Sequence, residues 1–132
     1  MSDAAARALR KARPVYLNLA AIRLPLPGFV SILHRASGAF LFCAVVWLLF
    51  MLDRSLSSEA GFESVKRYLH LWPVKSGLLA IIWAYCHHFC AGIRHVLLDL
   101  DKGLEKETAR LTSFIAFGAS LALTAVLGWR LW

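Results

Sequence analysis

Seven polar side chains sit inside stretches that are otherwise almost wholly apolar: Ser31, His34 and Arg35 in one, and His87, His88, Arg94 and His95 in another. Helix positions i, i+3 and i+4 share a face, so Ser31, His34 and Arg35 make a single polar patch. His88, Gly92 and His95 are spaced i, i+4, i+7, and Asp99 continues their face. This pattern suits a b-type haem, which takes one neutral imidazole from each of two helices and carries two propionates that favour Arg or His neighbours. His88 lies about six positions, roughly 9 Å along the axis, deeper than Arg94 and His95, and is the candidate axial ligand. His34, Arg35 and His95 lie nearer the surface, where propionates would sit. Gly92, one turn from His88, lets a flat macrocycle approach the backbone. The Ser31 hydroxyl and the Arg35 guanidinium could hold a quinone carbonyl. His87 points about 100° away from His88, so only one of the pair can face an iron.

Two plainer readings compete. Arg35, Arg94 and His95 could snorkel to headgroups from near the ends of their helices. The set could also serve as proton relays or assembly contacts in a small transport or scaffold subunit that holds no haem. The first handles His88 badly, because that residue lies too deep to snorkel; the second differs in predicting no haem.

The elements that must position these residues follow from composition. The chain has 132 residues, 59% of them hydrophobic and 17% charged, against about 45–50% and 25% in soluble domains. The excess gathers into three stretches nearly free of charge, which excludes an ordinary soluble enzyme, a disordered chain and a disulfide scaffold. The expected spans are about 29–52, 74–98 and 111–132, each long enough to cross a roughly 30 Å hydrocarbon layer as a helix. They are rich in Leu and Ala and lack the alternation of a membrane barrel. The expected fold is therefore an all-α membrane protein, a single transmembrane domain over residues 1–132 with three helices running up, down and up.

Signals at the ends agree. Pro25 and Pro27 mark the entry to the first span and Pro73 the entry to the second. Residues 53–73 form a connection of 21 residues, within which Phe62, Val65 and Leu69 recur at helical spacing, as in a short helix along the interface. Trp129 and Trp132 stand where interfacial anchors belong. The net charge of +7 is concentrated at the start: Arg7, Arg10, Lys11, Arg13, Arg23 and Arg35 face a single acid, Asp3, before residue 36. That asymmetry places segment 1–28 in the cytoplasm and the C-terminus outside. The expected location is a cell inner membrane, with the mitochondrial inner membrane as the second choice. No basic patch interleaved with aromatics occurs, so nucleic acid is not an expected partner. The cysteines Cys43, Cys86 and Cys90 form neither CxxC nor CxxCH, the spacings of a zinc site or an attached haem.

At these residues the sequence resembles a known family. Arg13-Pro14-Val15 and the run Ser31-Ile32-Leu33-His34-Arg35-Ala36-Ser37-Gly38 resemble the first signature of the cytochrome b membrane anchor of succinate dehydrogenase, of the cytochrome b556 type. His88-Phe89-Cys90-Ala91-Gly92-Ile93-Arg94-His95, with Asp99 beyond it, resembles the second. Leu98 and Asp101 depart from the family pattern, which more often has an aromatic or Met and a small residue there.

The resemblance implies that His88 is a haem axial ligand, that Ser31 and Arg35 help form a ubiquinone site, and that His34 and Arg35 lie near the propionates. It also implies a second membrane-anchor subunit supplying the other axial His, so that the two chains complete one haem-binding bundle. That pair would anchor an iron–sulfur subunit and a flavoprotein subunit of complex II. The expected activity is electron transfer from the iron–sulfur subunit to ubiquinone, with a fumarate reductase anchor as the alternative. Three cysteines and the lack of a GxGxxG after a strand leave the cluster and flavin chemistry to the partners. The chain is expected to be part of an enzyme and to carry no catalytic residue of its own.

Overall fold

The computed structural model describes residues 23–131, and all the regular structure in that range is helical. The N-terminal charges before Arg23, the Arg13-Pro14-Val15 motif and Trp132 lie outside the described residues. Four α-helices follow in order: α1 (Leu26–Ser57), α2 (Glu59–Leu69), α3 (Trp72–Asp99) and α4 (Lys106–Gly128), with a 3₁₀ turn at Trp129–Leu131. Three of them, α1, α3 and α4 with its terminal turn, are long and apolar enough to cross a membrane.

The prolines act inside the first turns. Pro25 is the residue that caps α1, and Pro27 and Pro73 occupy the opening turns of α1 and α3, where a missing N–H breaks no intrahelical bond. Both helices therefore start earlier than the apolar stretches alone indicate. Most of the 53–73 connection is also helical, because α1 runs on to Ser57 before the extended Ser58 (φ −170°, ψ 163°) breaks it. The Ser58 hydroxyl accepts from the Gly61 N–H at 3.0 Å and caps α2. Glu59 at its start and Lys66 and Arg67 at its end complement the helix dipole. Of the three apolar positions expected on one face of α2, Val65 is buried, Leu69 is half-buried and Phe62 is exposed.

Between α3 and α4 the chain turns in six residues. The Asp101 N–H donates to the Leu98 carbonyl at 3.0 Å and the Lys102 N–H to the Leu97 carbonyl at 3.0 Å. This is the double bond of a Schellman ending, which requires a left-handed residue at its centre. Asp101 supplies it with φ 57°, an uncommon but tolerated conformation for Asp.

α3 lies between α1 and α4 and packs on both. The start of α1 meets the end of α3 through His34 and His88, and the end of α3 meets the start of α4 through Arg94 and Thr112. At the other end, a side chain on Gly128 would collide with Leu79. The long helices are therefore antiparallel in sequence order. The interior between them is lined by small and polar residues, with Ser113 and Ser120 fully buried and Ala84, Ala91 and Ala116 beside them in the core. Close backbone approach through such residues is how helices pack where lipid removes the hydrophobic drive. Large apolar side chains such as Phe42, Val46, Phe50 and Phe114 point outward.

Candidate functional site

α1 and α3 bring three histidines together. The His34 and His88 rings stack with centroids 4.1 Å apart and planes 10° apart. His95, two turns beyond His88, tilts against His34 at 4.9 Å. The spacing seen in sequence is thus realised across two helices, with His34 at the centre of the cluster.

The hydrogen bonds orient His88. Its Nδ1 lies 3.0 Å from the His34 carbonyl oxygen. A carbonyl only accepts, so Nδ1 carries the proton and Nε2 keeps its lone pair. The Ser37 hydroxyl donates to the same carbonyl at 2.9 Å and lies 3.3 Å from Nδ1, where its oxygen receives a share of that N–H. This is the arrangement of a metal-ligating histidine, in which a bond at one nitrogen fixes ring direction and tautomer for the other. His88 is half-buried and lines an open groove of about 410 Å³ with Phe89, Gly92, Ile93, Val96 and Leu97.

Gly38 completes the seat. A Cβ there would stand 2.8 Å from His88 Cε1 and 3.3 Å from Nδ1, so any larger residue would push the ring from its place. Gly92, expected to admit a macrocycle, faces His34, whose Nε2 would be 3.5 Å from an added Cβ. His95 Nε2 is buried and has no hydrogen-bond partner among the described residues. A buried nitrogen in that state calls for a polar partner from outside this part of the chain.

His87 has a different environment. It is fully buried, with Trp83 stacked at 5.6 Å and Phe117 edge-on at 6.0 Å. Both its ring nitrogens lack partners among the described residues. A ring enclosed in this way is closed to a flat cofactor, whereas His88 lines an open groove.

The polar patch of α1 divides. His34 turns inward, Ser31 is half-buried and Arg35 is exposed. Neither Ser31 nor Arg35 makes a side-chain hydrogen bond among the described residues, which leaves both free for a ligand or partner. Arg94 does not snorkel. It is 5% exposed, and it donates from Nε to Thr112 Oγ1 at 3.2 Å and from Nη2 to the Ala109 carbonyl at 3.3 Å, tying α3 to α4. Ser37, Gly38 and the Arg94 clamp are not singled out by spacing. Ser37 is one turn from His34, which was the available signal, whereas the other two depend on which helix lies opposite.

Residues 9–127 match the family described as succinate dehydrogenase/fumarate reductase transmembrane subunit. The succinate dehydrogenase cytochrome b556 subunit of Paracoccus denitrificans is 30% identical over 114 residues, 86% of this chain and 88% of that one. The cytochrome b556 subunit of Coxiella burnetii is 29% identical over 91% of this chain and 97% of its own. The cytochrome b560 subunit of Reclinomonas americana is 32% identical over 86% and 83%. With a match over nearly its whole length and three helices fit to span a bilayer, the chain belongs to the succinate dehydrogenase/fumarate reductase transmembrane-subunit family and is an all-α membrane protein.

Proposed function

We propose that this chain is one of two membrane anchors of a succinate:quinone oxidoreductase, binding b-type haem through His88 and ubiquinone at Ser31 and Arg35. The observation that carries this reading is the His88 Nδ1–H bond to the His34 carbonyl, which leaves Nε2 as a free donor within a cluster of three histidines. The relatives are named as cytochrome b subunits of succinate dehydrogenase. The residues fit the group: Gly38 leaves room for the ligating ring, and the orphaned His95 Nε2 can meet a propionate. A haem held there supplies a one-electron carrier inside the membrane.

The chain's own residues do the rest. Ser37 and the His34 carbonyl hold the His88 ring in one rotamer. His34, stacked on that ring, walls off its face and can offer a ring N–H to the propionates, to which Arg35 brings the charge. Ser31 and Arg35 orient the quinone, and the guanidinium stabilises negative charge as it develops on the quinone oxygen. A second anchor subunit would supply a further histidine to hold the haem, and the pair would seat the iron–sulfur and flavoprotein subunits on the cytoplasmic side. The spans form a single transmembrane domain in the inner membrane, with the N-terminus cytoplasmic and the C-terminus outside.

The assembled complex should show a b-type band in its reduced-minus-oxidised visible spectrum. Its absence from a complex containing all its subunits would overturn the haem assignment in favour of a scaffold or proton-relay role. Direction is read separately: turnover that is faster from quinol to fumarate than from succinate to quinone would identify a fumarate reductase anchor.

Gly38 gives a sharper test of the seat. Gly38→Ala forces the His88 ring to move, and overpacking of this kind costs roughly 1–3 kcal/mol. The expected result is a purified complex with haem content lowered about tenfold at limiting haem, measured by pyridine haemochrome against the amount of protein. Full occupancy with an unchanged spectrum would show that the ring is not held against α1.

A further inference from the structure

A second groove, of about 460 Å³, runs between the end of α3 and the start of α4. Cys90 and Arg94 lie on a different face of α3 from His88 and His95, and the groove adjoins the one beside His88 along Ile93 and Leu97. Its exposed lining is almost wholly apolar. Lys102 and Thr108 lie at the end beside the Asp101 turn, and Thr112, which meets Arg94, lies one helical turn further along α4. Below them the lining is apolar: Cys90, Leu97, Ile115, Ala116 and Ala119. The two charged residues that line it are both cations. The acids at and beside the α3–α4 turn, Asp99, Asp101, Glu105 and Glu107, are not among the lining residues. Arg94 is buried and bonded only to neutral acceptors, with no carboxylate partner among the described residues. A buried cation in that state favours an anion nearby.

We propose that this groove binds one anionic glycerophospholipid, with its phosphate at Lys102, its ester oxygens near Arg94 and Thr112, and an acyl chain along the apolar floor. From Thr108 to Ala119 the groove extends about 16 Å along α4, which matches an acyl chain and exceeds what a free phosphate would use. The mouth opens on the membrane side where α1 begins, because α1 and α3 are antiparallel. Basic pockets between spans on the cytoplasmic side are where anionic headgroups are held. A partner helix fits less well, since it would have to cover both cations without a matching acid. No residue assigned here to the headgroup is one assigned to haem or quinone, although the two grooves meet at Ile93 and Leu97.

The test is native mass spectrometry of the purified complex after exchange into phosphatidylglycerol or phosphatidylcholine, with the wild-type chain, Lys102→Glu and Ala119→Trp. Lys102 is exposed on the loop, so its replacement leaves the fold intact. The wild type should retain one phosphatidylglycerol in preference to phosphatidylcholine. Lys102→Glu should lower that retention at least fivefold, and Ala119→Trp, which fills the floor, should abolish retention of both lipids while the haem band is unchanged. Equal retention of the two lipids, insensitivity to Lys102→Glu, or displacement by inorganic phosphate alone would overturn the proposal. So would photocrosslinks from the groove that reach a partner polypeptide and not lipid.

Discussion

In the assembled complex, His88→Ala should remove the b-type absorption band, whereas His87→Leu should leave it in place. The two residues are neighbours in sequence and differ in what surrounds them. His88 has its Nδ1–H committed to the His34 carbonyl and its Nε2 without a hydrogen bond among the described residues, so deleting the imidazole removes the proposed iron donor. His87 is enclosed by Trp83 and Phe117, and its two unpaired nitrogens cost free energy in a buried site. A leucine there removes that cost at the expense of some packing against the rings. Stability against heat should therefore stay level or rise for His87→Leu, with haem content unchanged. The measurements are the reduced-minus-oxidised spectrum and the haem-to-protein ratio, each on complex shown to contain all its subunits. Equal loss of haem in the two variants would undo the ligand assignment. His88→Gln, which keeps a polar side chain but offers no imidazole, separates ligation from filling of space and should behave like His88→Ala.

Arg35→Ala should lower quinone reduction by about 10²-fold while electron transfer from succinate to a soluble dye persists in the same preparation. Arg35 is exposed and has no partner among the described residues, so removing it breaks no internal contact of the chain. An effect on turnover then reports lost stabilisation of charge on the quinone oxygen. Ser31→Ala should act in the same direction and less strongly, because a neutral hydroxyl stabilises developing charge less than a guanidinium does. Arg35→Lys keeps the charge but loses the planar fork, so partial recovery would mark charge as the main contribution. Parallel loss of the quinone and dye activities would instead mean that Arg35 seats the iron–sulfur subunit. The two outcomes are separable because the dye takes electrons before the membrane.

Much of this was legible in the residues themselves. The four helices follow from apolar stretches, prolines at their openings and a serine cap, all local signals. The histidine face of α3 follows from the i, i+4, i+7 spacing of His88, Gly92 and His95, and the short α2 from Phe62, Val65 and Leu69. The reach of the helices was less legible. α1 continues through Asp53 and Arg54 to Ser57, because charge does not end a helix once it leaves the apolar layer, and an extended residue does.

Periodicity assigns faces within one helix but carries no information about the rotation or register of the helix opposite. For that reason Arg94 could be taken for a residue reaching the interface. Only the packing of α4 shows that Thr112 and the Ala109 carbonyl receive it. The roles of Ser37 and Gly38 likewise needed α1 and α3 to be set side by side.

By itself, then, the sequence determined an all-helical membrane chain with histidines collected on particular helix faces, because hydropathy and helical period act over a few neighbouring residues. Tertiary structure decided which histidine presents a free nitrogen and which is sealed in the interior. That choice rests on a carbonyl 54 positions away in the chain and on the Phe117 ring of α4, contacts that exist only once the helices have packed.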